Sequence, residues 1–336
     1  MNLPVSTSEG AKVPTVSVVI PTYNRSALLL RAIGSVMQQT YTDYELIVID
    51  DGSTDDTRER LQPYMENIRY FYQQNQGASA AQNAGVRVAK GKWVSILASD
   101  DVWLPTKLER QIEVLAALGS EFGACVTNCH YIGNSAINST VFEEAGFRPD
   151  LAFGPLDNPL QYTLEENGMC VQSLLVLRSL FNEIGGFDES LGLSEDRDLI
   201  FRLSYHTRFC FVSASLVGID RTPDVQRLTN LLSRKDDQSY AWLVSAYKKM
   251  LVRPELLSRE TREFINDKLI AIYYGWTKER IAGLRLLIAF KNIIEIRRLG
   301  QSYRRTLCSL LFSGAKKLTR IVWRPARALT AAAGDR

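Results

Sequence analysis

Three acidic pairs in this 336-residue chain have the type and placement to do chemistry together: Asp50/Asp51, Asp100/Asp101 and Glu195/Asp196. The first two directly follow short apolar runs, residues 46–49 and 93–97, that read as buried strands. A single acidic turn is commonplace, because Asp accepts backbone hydrogen bonds there. Carboxylates collected at the ends of buried strands ask for positive charge as well, and a divalent cation is the economical source. Ser99-Asp100-Asp101 is therefore the candidate clamp for a ribose and for Mn2+ or Mg2+, with Asp101 holding the ion. Such an ion takes one or two protein carboxylates and completes its shell with phosphate oxygens and water. It would neutralise charge building on a departing diphosphate. Asp51 can accept a hydrogen bond from the imide nitrogen of uracil, which makes it a candidate base reader. Asp196 opens a helix, where it either caps amide groups or removes a proton from an acceptor hydroxyl.

The elements that must position these groups follow from hydrophobic periodicity. Val16-Ser17-Val18-Val19-Ile20 is β-branched and nearly continuous, as expected of a strand covered on both faces in a parallel sheet. Helical spacing follows at Leu29, Ile33, Val36 and Met37, then a strand at 46–49, a short helix through Leu61 and a strand at 68–72. An Ala-rich helix over 78–89, weakened by Gly85, precedes the strand at 93–97. Pro105 suits the first turn of a helix whose Leu108, Ile112, Leu115 and Leu118 line one face. Alternation of strands and helices implies a doubly wound, mostly parallel α/β sheet, with its ligand crevice at the carboxyl ends of the strands. From about Cys125 the pattern loosens. Residues 133–160 read as loop with short strands, 174–177 as strand, 180–184 as a short helix, 195–204 as helix and 209–212 as strand. Helical patterns then occupy 227–251, 254–274 and 278–298.

These readings divide the chain into a flexible tail (1–13), a catalytic domain (14–225) and a helical, basic C-terminal region (226–336). The catalytic domain splits into a nucleotide-binding half, 14–101, and an acceptor half, 102–225. A hydrophobic content of 46% and a charged content of 23% fit a globular protein and exclude a disordered one. Five scattered cysteines, an odd number, read as reduced packed thiols of a cytoplasmic protein. Cys125, Cys129 and His130 lack a second ligand pair at zinc-site spacing and read as a core cluster. His206 reads as a surface residue at a helix end. Residues 1–13 lack the apolar region of a signal peptide, and no run is long enough to span a membrane.

Five blocks, in order, resemble family 2 glycosyltransferases of the GT-A fold. Val16-Ser17-Val18-Val19-Ile20-Pro21-Thr22-Tyr23-Asn24-Arg25 is similar to the family's opening motif, and Val48-Ile49-Asp50-Asp51-Gly52-Ser53-Thr54-Asp55 to its second. Asn75-Gln76-Gly77-Ala78-Ser79-Ala80-Ala81-Gln82-Asn83-Ala84-Gly85 resembles the third. Ser99-Asp100-Asp101 resembles the Asp-X-Asp region; Gly185-Gly186-Phe187-Asp188 and Glu195-Asp196-Arg197-Asp198-Leu199 resemble the acceptor-side motifs. The resemblance covers roughly residues 15–220 and implies a non-processive, inverting enzyme of bacterial cell-surface glycan assembly. It implies a nucleotide side formed by Pro21, Thr22, Tyr23, Arg25, Asp51, Gly77, Gln82 and Asp100, a metal ligand in Asp101, a general base in Asp196 and an acceptor-side neighbour in Glu195. Inversion by one in-line displacement needs no enzymatic nucleophile. Family members often carry Arg where this chain has Gln82, which puts the phosphate-side contact there in doubt. The Gln-X-X-Arg-Trp motif of processive synthases is absent.

The partners implied are a nucleotide-sugar, with UDP favoured, and a glycan or lipid-linked acceptor. Beyond Leu284, basic residues such as Arg285, Lys291, Arg304, Lys316, Lys317 and Arg324 interleave with apolar ones, a pattern suited to the inner face of an anionic membrane. A net charge of +3 and the lack of a binding motif argue against nucleic acid. Two rivals remain at this stage. A nucleotidyltransferase would normally show a Gly-rich basic loop near the amino terminus. A sensor that binds nucleotide-sugar without turnover would not depend on Asp196. No Gly-X-Gly-X-X-Gly follows the first strand, which disfavours a dehydrogenase.

Overall fold

The computed structural model describes residues 12–164, 169–222, 236–252, 257–282 and 286–299. The chain divides into two compact units, residues 1–226 and 227–336.

The first unit is built on one mixed sheet. Strands β1 (Val16–Thr22), β2 (Tyr44–Asp50), β3 (Arg69–Tyr72) and β4 (Trp93–Ile96) are parallel, with β1 between β2 and β4. β1 is buried along both faces because its Val and Ile side chains meet helices on either side. Helix α1 (Ser26–Met37) follows β1, α2 (Thr57–Arg60) follows β2, and α3 (Ala78–Val88) follows β3. Gly85, which weakened the helical reading, sits where α3 crosses β1. A Cβ there would lie 2.2 Å from Val19 Cγ1, so the glycine permits the close approach.

Beyond β4 the chain adds β5 (Val102–Trp103), α4 (Lys107–Leu118), β6 (Phe122–Ile132), α5 (Val141–Glu144), β7 (Phe153–Leu156) and α6 (Pro159–Leu164). It ends with β8 (Leu175–Leu177), α7 (Arg178–Glu183), α8 (Glu195–Leu203) and β9 (Arg208–Asp220). The sheet runs β3-β2-β1-β4-β8-β6-β9, with β5 and β7 both paired to β9. β8 is antiparallel to β4 and β6, β6 is parallel to β9, and β5 and β7 are antiparallel to it. The fold is thus α/β of GT-A type, with the mainly parallel sheet the motifs implied.

Several elements differ from the sequence reading. Residues 209–212 belong to a 13-residue strand, whose apolar pattern is broken at Ser213-Ala214-Ser215. The break marks a change of partner: the first part of β9 pairs with β7 and the last part with β5. The segment 133–160 contains, besides β7, the short helix α5, begun by a reciprocal cap between Thr140 and Glu143. β6 itself, eleven residues long, escaped the periodicity because it is covered on both faces and carries two irregularities near Asn128.

The described part of the second unit is helical: α9 (Asp237–Met250), α10 (Arg259–Ala282) and α11 (Leu286–Arg298). The break expected near Gly275 does not occur. There the ring of Trp276 stacks on those of Tyr240 and Tyr273, while its indole nitrogen donates to Asp237 at 2.7 Å, and this packing carries the helix through the glycine. No described helix is long and apolar enough to cross a membrane. Most of the basic stretch beyond Leu284, including Arg304, Lys316 and Arg324, lies outside the described residues, as does Cys308.

Candidate active site

The parallel order of β1, β2 and β4 puts the ends of all three strands on one edge, and the loops that leave them are laced together. The Asp51 amide donates to the Thr22 carbonyl at 2.9 Å. Asn24, held at φ 50°, donates its amide to Ser53 Oγ at 2.9 Å and accepts the Thr54 amide on Oδ1 at 2.7 Å. Arg25 Nη1 stands 3.2 Å from Asp100 Oδ2. Pro21, Thr22, Arg25, Asp51 and Asp100 therefore lie along one connected rim. Tyr23 projects from it, 45% exposed.

Each carboxylate of this rim has a tertiary job. Asp51 is buried and accepts from Gln73 Nε2 at 2.8 Å, the Gln76 amide at 2.9 Å and the Gly77 amide at 2.8 Å. It fixes the 73–77 loop that leads into α3, a duty its sequence position did not reveal. Asp50 accepts from the Ser53 amide and from the Tyr70 hydroxyl. Asp101, 3% exposed, accepts from Gln172 Nε2 at 2.7 Å and from the Asp220 amide at 2.9 Å. Burial, and then the neighbouring Asp100 carboxylate, push Asp101 up to about 7. Asp220 behaves oppositely. Burial raises it, but the Thr222 amide and the Arg31 guanidinium outweigh that and hold it at about 2. Arg31 also donates to the Asp100 carbonyl, so α1, the carboxylate loop and the end of β9 share one cation.

On the acceptor side, Glu195 and Asp196 occupy the first turn of α8, preceded by Ser194 in the left-handed region at φ 63°. Burial pushes Glu195 up to about 7, with the Asp196 charge adding to it; burial likewise raises Asp196 against the opposing Arg197. Arg202 of α8 donates to the Ile184 carbonyl at 2.8 Å and the Gly186 carbonyl at 2.7 Å, and grips Asp198 through two nitrogens. From the other side Asn83 of α3 donates to the Phe187 carbonyl and Glu189, and accepts the Phe187 amide at 2.8 Å. Gly186 has φ 69°, and a Cβ on it would lie 2.5 Å from Asn83 Oδ1, so the glycine is what lets the turn pack against α3. A continuous chain of contacts thus runs from Asp51 through Gly77, Asn83 and the 184–189 turn to the helix that carries Asp196.

Comparisons with known proteins identify the family and the fold. The model of the family described as "Glycosyl transferase family 2" matches residues 17–160. An uncharacterised glycosyltransferase of Rickettsia typhi is 32% identical over 288 residues, covering 84% of this chain and 86% of that protein. The chain belongs to glycosyl transferase family 2. The succinoglycan biosynthesis protein ExoO of Rhizobium meliloti is 30% identical over 194 residues, 56% of this glycosyltransferase and 55% of ExoO. Among solved structures, TarS of S. aureus (residues 1–349, with UDP-GlcNAc) superposes with a TM-score of 0.58 at 15% identity, over 87% of this chain and 92% of that one. A mannosyltransferase of Pyrobaculum calidifontis, with GDP-Man and Mn2+, gives 0.54 at 17% identity over 93% and 84%. These likenesses establish the GT-A fold of the glycosyltransferase.

The donor set fits a divalent cation. Asp101 is buried beside a second carboxylate, and the hydrogen bonds it accepts come from neutral amides. Its raised pKa is the mark of an anion short of positive charge. Among the described residues no three His, Cys, Asp or Glu side chains stand close enough to cage an ion. Asp101 would therefore hold the cation with diphosphate oxygens and water completing the shell. Among the described residues, Thr22 Oγ1 and Gln82 Oε1 are two further buried oxygens without a hydrogen-bond partner in the protein.

Sequence reasoning missed Arg31, Asn83, Gln172 and Asp220, because each acts through a contact more than 60 residues away. Asn83 alone carried a signal, lying inside the third motif. Lys107 was hidden too. Fully buried, it donates to Gln111 at 2.8 Å and Ser95 at 3.2 Å, and its ammonium lies 3.9 Å from the centre of the Trp103 ring. Trp103 is a packing group, its indole nitrogen donating to the Gln172 carbonyl at 3.0 Å. His206 is at the surface against the Arg202 carbonyl. Cys125, Cys129, Cys170 and Cys210 are free thiols.

Proposed function

We propose that this glycosyltransferase transfers a sugar from a UDP-sugar to an acceptor hydroxyl with inversion, in the assembly of a cell-surface polysaccharide or glycolipid. The observation that carries the reading is the three stressed carboxylates at two places, Asp101 among the donor-side loops and Glu195 and Asp196 on α8. They give one group suited to a cation and another suited to a proton. Pro21, Thr22, Tyr23, Arg25, Asp51, Gly77, Gln82 and Asp100 form the nucleotide side. Asp51 anchors the 73–77 loop and keeps acceptor capacity for a uracil imide, because a carboxylate offers about four acceptor positions. The cation held by Asp101, Mn2+ or Mg2+, stabilises charge on the leaving diphosphate when bound. Asp196 takes the proton of the acceptor hydroxyl as that oxygen attacks the anomeric carbon, and Glu195 keeps the proton affinity of the pair high. A base whose pKa lies near the working pH both holds and releases a proton readily.

Similarity to a protein named for succinoglycan biosynthesis favours a glycan or lipid-linked acceptor. The basic C-terminal helices would then bring the enzyme to an anionic membrane surface. Incubation with Mn2+ and a panel of UDP-, GDP- and dTDP-sugars, with the released nucleotide measured, tests the function. Release and binding of none, with and without chelator, would refute it.

A further inference from the structure

The amide of Gln172 stands between the metal carboxylate and an unmet need. Its Nε2 donates to Asp101 Oδ2 at 2.7 Å, and its main-chain carbonyl accepts the Trp103 indole N–H at 3.0 Å. The neighbouring Ser173 is pinned in turn, its carbonyl accepting Gln111 Nε2 at 2.9 Å and its hydroxyl donating to the Cys170 carbonyl. The side chain is therefore fixed at both ends. Its other polar atom, Oε1, is buried and has no hydrogen-bond partner. Leaving a buried amide oxygen unmet is costly, and native proteins complete such groups with a protein partner, a water or a ligand.

The position narrows the ligand. Nε2 is committed to the carboxylate that would hold the cation, so Oε1 lies within the width of one amide group of that centre. The group transferred must lie next to the diphosphate, and a sugar presents neutral O–H donors there. A neutral amide oxygen is matched to a hydroxyl and mismatched to phosphate oxygens, which carry negative charge and no hydrogen to give.

We propose that Gln172 reads a hydroxyl of the donor sugar: Oε1 accepts the O–H while Nε2 keeps Asp101 in place. The proposal rests on the donor-side reading above and assigns the donor-sugar contact to the segment before β8. It makes Gln172 a specificity residue as well as a positioning one.

Calorimetric titration of the full chain with Mn2+ separates these roles. The ligands are UDP and the tightest-binding of UDP-glucose, UDP-galactose and UDP-N-acetylglucosamine. Gln172→Met, with a comparable volume and no hydrogen-bonding amide, is expected to weaken the UDP-sugar roughly 3- to 10-fold more than it weakens UDP, the worth of one neutral hydrogen bond. In the wild-type protein one deoxy-sugar analogue of that donor should bind weaker by the same factor, and Gln172→Met should not distinguish it from the parent sugar. The deoxy series keeps the test intact if the variant fails to fold. Equal losses for UDP and UDP-sugar, or a series in which no hydroxyl is coupled to Gln172, would overturn the proposal and leave Gln172 as a support for Asp101 alone. A wild-type protein that binds neither ligand would instead refute the donor-side reading itself.

Discussion

The donor-side loops and the first turn of α8 carry the same electrostatic stress and hold it in different ways. Asp101 and Glu195 are each pushed up to about 7 by burial and by an adjoining carboxylate. Asp101 takes its hydrogen bonds from Gln172 and Asp220, each more than 70 residues away, and Asp51 from three groups 22 to 26 residues on. Asp196 accepts from the amide of Arg197, the next residue, and follows a serine in left-handed backbone. Under the proposed function, the long-range frame of the donor side leaves a buried carboxylate that a cation would satisfy, and the locally held pair on α8 would answer its burial by gaining and losing a proton.

The widest break in this comparison comes from Asp101→Asn, which removes the anion while keeping its shape. Transfer should fall roughly a hundred- to a thousandfold, with Mn2+-dependent donor binding lost; steady-state rates and calorimetry check both. Asp51→Ala should act through the frame. The buried Gln73 amide and the Gln76 and Gly77 backbone amides lose their shared acceptor, costing roughly 2–4 kcal/mol of stability and raising the donor KM, as read by chemical unfolding and kinetics.

The pH response sharpens the contrast. With Asp196 acting as base, the rate should rise with pH above the ordinary carboxylate range, because burial raises Asp196 and it must lose its proton to act. Stability should move the other way. A carboxyl whose folded pKa is raised is fully accommodated below its ordinary range near 4.5, and that contribution is lost as pH climbs to about 7. Glu195→Gln should flatten that decline in a pH series of unfolding curves and shift the rate profile to lower pH. The smallest effect belongs to Ser194→Gly. Relief of the left-handed strain should stabilise the protein by about 1 kcal/mol, seen as a modest rise in Tm, while transfer changes little.

Much of the donor half was legible in sequence because β2 and β4 are short apolar runs that lead into acidic turns and β1 is one that leads into Tyr23-Asn24-Arg25, so strand order and chemistry share the same stretches. The Gly-Gly-Phe-Asp and Glu-Asp motifs likewise marked the turn and helix start on which the acceptor side depends. What stayed hidden has a common cause. Gln172, Arg31 and Asp220 are ordinary polar residues in their local context; the pairing of β9 with β5 and β6 brings Asp220 to Asp101, β8 between β4 and β6 brings Gln172, and α1 brings Arg31 to Asp100. Lys107 reads as an exposed helical lysine and is instead the centre of a buried polar knot, made possible by Gln111 one turn on. Long strands covered on both faces, β6 above all, lack the alternation that reveals a half-exposed strand.

The central claim is that binding the donor and activating the acceptor belong to separate carboxylates. Titration of Asp196→Asn with the UDP-sugar and Mn2+, alongside a single-turnover assay on the same sample, tests it most directly. The account predicts wild-type donor affinity with transfer reduced roughly a hundred- to ten-thousandfold. Transfer at the wild-type rate, or loss of donor binding in a correctly folded variant, would contradict it.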